Sequence, residues 1–263
     1  MPYASTSSSG KVYYEVHGEG PALVFLHGSG GHHAIWWQQL AHFRDRYKVV
    51  LLDFPGFGNS DSDPETSDVA GYPDAILAVL DDAGVDRAVL VGQSLGCAPS
   101  LALAIRHPER VRAVVMAHSL GGINDEALVA QARADRAEAE KLSVLDRLLS
   151  RRFQEQQPNM VVLFKQMGTF NNANSAVLAR GHHWPTTADA VRGAIRAGVF
   201  VCFLQGTDDA VVRPASYEIV KQILPEAHIE TVAGAPHSLY WENPELFNAT
   251  LDGVLEGALQ PSV

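Results

Sequence analysis

A short apolar strand, a glycine–serine turn and a helix follow one another between residues 88 and 106, and this stretch constrains the fold more than any other. The run Ala88-Val-Leu-Val91 ends at Gly92-Gln-Ser-Leu-Gly96, and helix-like spacing begins at Leu95. A turn this tight holds its central residue, Ser94, in a strained conformation that exposes Oγ above the sheet. Glycine is expected at both ends, because a Cβ there would collide with the neighbouring strand or helix. Ser94 is therefore predicted to be a nucleophile rather than a serine of an ordinary turn.

Strand-like and helix-like segments alternate on both sides of this turn. Strands are predicted at 11–17, 22–26, 48–52, 88–91, 111–116, 199–204 and 228–232, and helices at 34–47, 75–80, 95–106, 214–224 and 244–259. This alternation predicts a largely parallel sheet with helices on both faces. Ligands of such sheets bind at the carboxyl ends of the strands.

The alternation stops near Ser119 and resumes near Val199. The intervening residues have helical composition and no strand pattern, which predicts a helical cap at 119–197 between two core segments, 1–118 and 198–263. The cap is expected to determine substrate specificity. Candidate pocket walls are His118, Phe164, Phe170 and Trp184.

A serine nucleophile needs a base, and the base needs a carboxylate that orients it. Among 11 histidines, His237 follows the last predicted strand and precedes the terminal helix, which places it at the same edge as Ser94. His118 is the second candidate for the base. Asp208 and Asp209 follow the strand at 199–204 at this edge too, and one of them is expected to face His237.

The negative charge that develops on the substrate's oxygen must be met by N–H groups. Leu95 N–H lies at the start of the helix after Ser94, where backbone donors are unpaired. The second donor is predicted in the loop His27-Gly-Ser-Gly-Gly31, at Ser29, with Gly30 as the alternative.

The charge balance of the chain restricts its partners. There are 20 Lys and Arg against 30 Asp and Glu, a formal net charge of −10, which disfavours nucleic acid and anionic membranes. The sequence shows no signal peptide and no stretch that could span a bilayer, so a cytoplasmic location is expected. The two cysteines, Cys97 and Cys202, are predicted to be buried thiols, and no metal or cofactor site is predicted. Oligomeric state is not readable from the sequence, and a dimer is an open option.

The motifs at this edge together resemble those of the α/β-hydrolase family, in its capped serine-hydrolase branch. They are His27-Gly-Ser-Gly-Gly31, Asp53-Phe-Pro-Gly-Phe-Gly-Asn-Ser60, Gly92-Gln-Ser-Leu-Gly96, Gly206-Thr-Asp-Asp209, Gly234-Ala-Pro-His237 and Trp241-Glu-Asn-Pro244. The resemblance implies a mostly parallel eight-stranded sheet with an inserted helical cap, and it favours Asp209 over Asp208 as the acid.

The resemblance implies a hydrolase of a carboxylic ester or lactone of a small apolar molecule, acting through Ser94, His237 and Asp209 by way of an acyl-enzyme. Carbon–carbon hydrolysis of a meta-cleavage product is the alternative. Gln93 and Ser238 disfavour it, because that branch usually has Asn and Trp at these positions. A lyase, cyclase or receptor that keeps the fold without hydrolysis is the third possibility, because a fold does not determine a substrate.

Overall fold

The computed structural model describes residues 2–6, 10–61, 69–171 and 186–259. Their strands form one eight-stranded sheet in the order β1-β2-β4-β3-β5-β6-β7-β8. The strands are β1 (Tyr3–Thr6), β2 (Gly10–His17), β3 (Ala22–Leu26), β4 (Lys48–Leu52), β5 (Ala88–Gln93), β6 (Val111–Ala117), β7 (Phe200–Gly206) and β8 (His228–Val232). β2 runs antiparallel to β1 and β4, and the strands from β4 to β8 are parallel.

The helices connect these strands and fill the segment between β6 and β7. They are α1 (Trp37–Phe43), α2 (Tyr72–Asp82), α3 (Cys97–Arg106), α4 (Glu126–Ala139), α5 (Val144–Leu148), α6 (Arg151–Gln156), α7 (Pro158–Gly168), α8 (Ala188–Arg196), α9 (Pro214–Ile223), α10 (Leu239–Glu242) and α11 (Pro244–Leu259). The predicted mostly parallel sheet with helices is confirmed.

Apolar layers cover both faces of the sheet. Along β3, Val24 and Leu26 pack into one buried cluster with α2 and α3, whereas Leu23 and Phe25 pack into the other with α1 and α11. Successive side chains of a strand point to opposite faces, so a strand that is covered on both sides reads as a continuous apolar run. This is why the central strands were readable from the sequence.

The first strand is a difference from the prediction. β1 pairs antiparallel with β2, with Tyr3 opposite Tyr13. The first strand predicted from the sequence begins at residue 11, so β1 is not among the predicted strands; residues 7–9 lie outside the described part. β1 is held by backbone pairing and buries chiefly Ala4, so it carries no apolar pattern.

Residues 119–197, called the cap segment here, contain helices and no strand in their described part. The division of the chain into two core segments and a cap remains a prediction. Side chains cap the N-termini of α4, α5, α6 and α8, at Asp125, Ser143, Ser150 and Thr187. Each accepts a hydrogen bond from an otherwise unpaired N–H of the first turn, which explains why these helices begin where they do.

Two carboxylates, buried Asp135 and half-buried Glu242, attach the cap segment to the rest of the chain. Asp135 of α4 accepts hydrogen bonds from Arg213 N (3.1 Å) and Ser216 Oγ (2.7 Å) at the start of α9. Glu242 accepts from Ser150 N (2.6 Å) and Ser150 Oγ (2.7 Å). Cap helices α4 and α6 are therefore anchored to the elements that follow β7 and β8.

Both cysteines are buried and free, as predicted. No helix within the described ranges is both long and apolar enough to cross a membrane.

Candidate active site

Ser94 lies on the sharp turn that the sequence predicts. Its φ is +49°, a left-handed conformation that a residue other than glycine seldom adopts. A Cβ built on Gly92 would stand 2.6 Å from the carbonyl carbon and oxygen of Gly96, so glycine is required where β5 meets the turn. The chain can reverse within this short distance only because Gly92 has no side chain, and the reversal places Ser94 at the carboxyl edge of the sheet.

His237 lies at the same edge, in the loop after β8, and binds Asp209 from the loop after β7. Its Nδ1 is 3.1 Å from Asp209 Oδ1 and 3.0 Å from Oδ2, and both side chains are almost fully buried. A nitrogen that faces a carboxylate carries the proton, so Nδ1–H donates and Nε2 keeps its lone pair. Such a tautomer suits a base that accepts a proton at Nε2.

Ser94 and His237 line one pocket. Among the described residues, no side-chain hydrogen bond joins Ser94 Oγ to another group. Hydrogen bonds of this kind are often loose in unliganded enzymes and tighten when substrate binds. The geometry therefore brings the predicted nucleophile, base and acid to one edge, with the His–Asp contact formed.

Asp209 is the member of the aspartate pair that faces inward. Asp208 is exposed, and its carboxylate accepts from Thr207 Oγ1, at 3.1 Å. Asp209 Oδ1 accepts hydrogen bonds from Val211 N (2.7 Å) and Val212 N (3.0 Å) as well as from His237. Burial alone would raise the pKa of Asp209, but the electrostatic interaction with His237 and the hydrogen bonds from His118 and His237 outweigh it and lower that pKa. Asp209 is thus held as a carboxylate.

His118 binds the same carboxylate. Its Nδ1 lies 3.2 Å from Asp209 Oδ2, and the side chain is completely buried. Burial lowers the pKa of His118 despite the hydrogen bond to Asp209, so the ring is neutral at pH 7. The sequence predicts His118 as a pocket wall or second base, but it is not among the described residues that line the pocket of Ser94, because its ring lies against Asp209.

The pocket beside Ser94 is narrow, with a volume of about 30 Å³, space for roughly two water molecules. The glycine-rich loop at residues 28–31 forms one wall, and Gly31 N donates to Gly28 O (3.1 Å) to close its turn. Ser29 and Gly30, the predicted oxyanion donors, both lie in this wall. Leu95 belongs to the single turn of 3-10 helix, Ser94–Gly96, that leads into α3. Both predicted sources of N–H donors therefore flank Ser94.

The remaining predicted pocket walls have different outcomes. Phe164 of α7 lines the pocket of Ser94 and packs edge-on against Trp241, with ring centroids 5.3 Å apart. Phe170 was expected in the same wall, but its ring lies against His32 in a separate cavity and is 61% exposed. The chain leaves α7 before Phe170, so this residue falls beyond the part of the helix that faces Ser94. Trp184 lies outside the described residues.

Gln93 is a residue whose role sequence reasoning missed. Its Nε2 donates to His237 O (3.3 Å), and its Oε1 would be 2.1 Å from a Cβ on Gly28. Gln93 therefore contacts both the loop that carries the base and the glycine-rich loop. Its position directly before Ser94 was the available signal.

His27 and Asp53 hold the neighbouring loops. Buried His27 bonds to Gly28 O through Nδ1 (2.8 Å), and its Nε2 accepts from Phe54 N (3.0 Å). Burial lowers the pKa of His27 to about 4, so the ring is neutral and this pattern fixes Nδ1 as the protonated nitrogen. Asp53 accepts from His33 N (2.5 Å) and Asn59 N (2.8 Å) and so holds these two segments together.

Potential metal-ligating atoms of His32, His33 and Asp53 lie within 4.8 Å of one another, a grouping that the sequence did not predict. Both oxygens of Asp53 also contact His33 Nδ1, at 2.8 and 2.9 Å, in addition to the backbone N–H groups. These hydrogen bonds give the Asp53 carboxylate its partners, so its position is explained without a metal ion.

Comparisons with known proteins agree with this architecture. The putative carbamate hydrolase RutD of Azorhizobium caulinodans is 27% identical, with 96% of this chain and 97% of that protein covered. The 3-oxoadipate enol-lactonase 2 of Acinetobacter baylyi is 27% identical over 90% of this chain and 89% of its own length. A thermophilic esterase from Thermogutta terrifontis has the same fold, with a TM-score of 0.82, 20% identity and coverage of 98% and 99%.

An eight-stranded, mostly parallel sheet with a Gly-x-Ser-x-Gly turn at its carboxyl edge defines a class of hydrolytic enzymes. A family model described as the alpha/beta hydrolase fold matches residues 21–244. This chain belongs to the α/β-hydrolase family and is a hydrolase.

Proposed function

We propose that this hydrolase cleaves a carboxylic ester or lactone of a small, apolar molecule through Ser94, His237 and Asp209. The observation that carries the proposal is the buried contact between His237 Nδ1 and Asp209, in a site where His237 shares one pocket with Ser94. This arrangement provides a nucleophile, a base and an orienting acid.

The reaction follows from the protonation states. His237 Nε2 takes the proton of Ser94, and Oγ attacks the carbonyl carbon of the substrate. The N–H groups of Leu95 and Ser29, with Gly30 as the alternative, stabilise the negative oxygen. His237 then gives its proton to the leaving alcohol, an acyl-enzyme forms, and a water activated by His237 releases the acid.

The pocket wall supports a small, uncharged acyl group. The described residues that line it include Ile35, Leu148, Phe164 and Tyr240. No Lys or Arg is among the described lining residues. A substrate carboxylate buried against this wall would lose hydration without gaining a cationic partner. The small volume of the pocket also favours a short acyl chain, because each extra methylene group must find space.

The experiment is a panel of p-nitrophenyl esters of increasing chain length, lactones, a carbamate and a vinylogous diketone, tested with the wild type and with Ser94→Ala. We expect ester or lactone turnover that falls by on the order of 10³-fold or more in Ser94→Ala. A Ser94→Ala variant that retains turnover would remove the mechanism. Turnover of the diketone with poor ester cleavage would assign carbon–carbon hydrolysis instead. Failure of a fluorophosphonate probe to label the wild type at Ser94 would favour a non-hydrolytic lyase, cyclase or receptor.

A further inference from the structure

We infer that His118 is a positioning residue that acts through Asp209, as a second imidazole donor to the carboxylate that orients His237. The inference rests on the proposed function, because it assigns a role within the same proton relay. His118 neither lines the pocket of Ser94 nor has any exposed surface, so it acts through the acid and not on the substrate.

The hydrogen bonds around Asp209 carry the inference. Oδ2 receives His118 Nδ1 at 3.2 Å and His237 Nδ1 at 3.0 Å, while Oδ1 receives two backbone N–H groups. The two imidazole rings stand edge to face, with centroids 5.9 Å apart. The carboxylate is thus clamped from the loops after β6, β7 and β8, and it cannot rotate away from His237 without breaking the bond to His118.

The surroundings of His118 favour a neutral ring that carries its one proton on Nδ1. Its Nε2 is buried and has no hydrogen-bond partner among the described residues. A second proton on the ring would therefore place an unpaired N–H in the interior, which is unfavourable. Nδ1–H, facing the carboxylate, is the tautomer that satisfies Asp209.

Two other titratable groups near this cluster, Tyr217 and Cys97, carry no charge at neutral pH. Burial raises the pKa of the Tyr217 phenol, on α9, and of the Cys97 thiol, on α3. The carboxylate of Asp135 accepts hydrogen bonds from Ser216 Oγ and Arg213 N, and Asp208 faces solvent. Asp209 is consequently the charged group that His118 and His237 share.

The backbone at His118 makes a sharp test possible. Its φ is +59°, a conformation that Asn and Gly tolerate better than other residues. His118→Asn keeps an N–H donor near the position of Nδ1 and suits this backbone. His118→Gly relieves the backbone and removes the donor. If His118 serves only the turn, both variants behave like the wild type.

The experiment measures kcat, KM and the pH profile of p-nitrophenyl acetate hydrolysis for the wild type, His118→Gly and His118→Asn. Without the donor, Asp209 directs more of its charge to His237 and strengthens its hold on the proton that His237 takes from Ser94. We expect His118→Gly to lower kcat about 10-fold at unchanged KM, and to move the acid limb of the profile upward by about one pH unit. His118→Asn is expected to restore both values toward the wild type.

A readout without substrate accompanies the kinetics. In ¹⁵N-histidine-labelled protein, two downfield ring N–H signals are expected from His118 and His237, and His118→Gly should remove one and shift the other. An unchanged acid limb and an unshifted His237 signal in folded His118→Gly would overturn the inference. Loss of activity in both variants with an unshifted signal would also overturn it, because the role would then be structural. Inactivity of the wild type toward the ester panel would instead refute the proposed function, and the NMR result would still decide the contact.

Discussion

Gly96 lies so close to Leu26 that a Cβ built on the glycine would stand 2.4 Å from the Leu26 carbonyl oxygen. Leu26 is the last residue of β3, and Gly96 is the last residue of the 3-10 turn that begins at Ser94. The turn is therefore seated directly on the neighbouring strand, so the position of Ser94 depends on a backbone contact with β3.

Replacement of Gly96 by Ala should lower both stability and activity. The new methyl would force the turn away from β3, at a cost of about 3 kcal/mol in the free energy of unfolding, in the range of other overpacked sites. Urea denaturation and kcat measure the two effects. The matched control is Gly253→Ala in α11, where the added Cβ would meet no other part of the described structure within 4 Å beyond the adjacent residues and backbone of its own helix, and a gain of about 0.5–1 kcal/mol is expected from helix propensity. Equal stability of the two variants would contradict the contact.

The two neighbouring aspartates should differ sharply in their effect on catalysis. Asp209→Asn removes the charge and permits the wrong tautomer of His237, so kcat should fall by roughly 10³- to 10⁴-fold. Asp208→Asn changes an exposed side chain and should stay within about 2-fold of the wild type. Steady-state kinetics with one activated ester compares both variants. A loss in Asp208→Asn comparable to that in Asp209→Asn would refute the assignment of the acid.

Phe164 should limit the length of the acyl chain. Phe164→Ala opens the pocket wall beside Ser94, so the ratio of kcat/KM for an octanoyl ester to that for an acetyl ester should rise about 10-fold or more. Phe170→Ala is the control, because this phenylalanine lies in a separate cavity against His32, and the ratio should change less than 2-fold. A ratio that responds to Phe170 and not to Phe164 would show that the pocket is formed differently.

His27 should make the protein less stable in mild acid. Burial lowers its pKa to about 4 from an ordinary value of 6.5, so between these pH values the unfolded chain binds a proton that the folded chain does not. The stability that neutral His27 contributes is present above pH 6.5 and is lost as the pH falls toward 4, with about 2 kcal/mol lost between pH 7 and 5. Denaturation of the wild type and of His27→Gln at pH 7 and pH 5 shows how much free energy of unfolding each protein loses between these pH values. The same pH dependence in both proteins would disprove this contribution.

The sequence revealed those parts of the molecule that are local. β3, β4 and β8 have the predicted limits. β3 and β4 are buried strands, which the sequence shows as continuous apolar runs, whereas β8 is only partly buried and has a weaker pattern. The turn at Ser94 was readable since glycines at fixed offsets permit it. α11 also begins and ends as predicted, at Pro244 and Leu259.

Contacts between distant segments were not readable in the same way. His118 and Asp209 are separated by 91 residues, and no local pattern distinguishes a histidine that supports a carboxylate from one that lines a pocket. Phe164 and Phe170 lie in the same predicted helical segment, and the sequence does not distinguish them. The structure shows that α7 ends at Gly168, between the two phenylalanines. Gln93 was noted only as a departure from the pattern of a related branch, because its contact with His237 depends on the packing of two loops.

The bond from Asp135 to the first turn of α9 has a consequence for engineering. The segment that donates to Asp135 follows Val211 and Val212, whose backbone N–H groups donate to Asp209. A chimera in which a relative's helices replace the cap segment would thus also change the support of the loop that carries Asp209. Without an acidic side chain at the equivalent of Asp135, the graft would leave Ser216 and the Arg213 amide without their acceptor, one loop away from the proton relay. Relatives that supply the inserted helices should therefore be selected first for a carboxylate at this position and only then for their substrate.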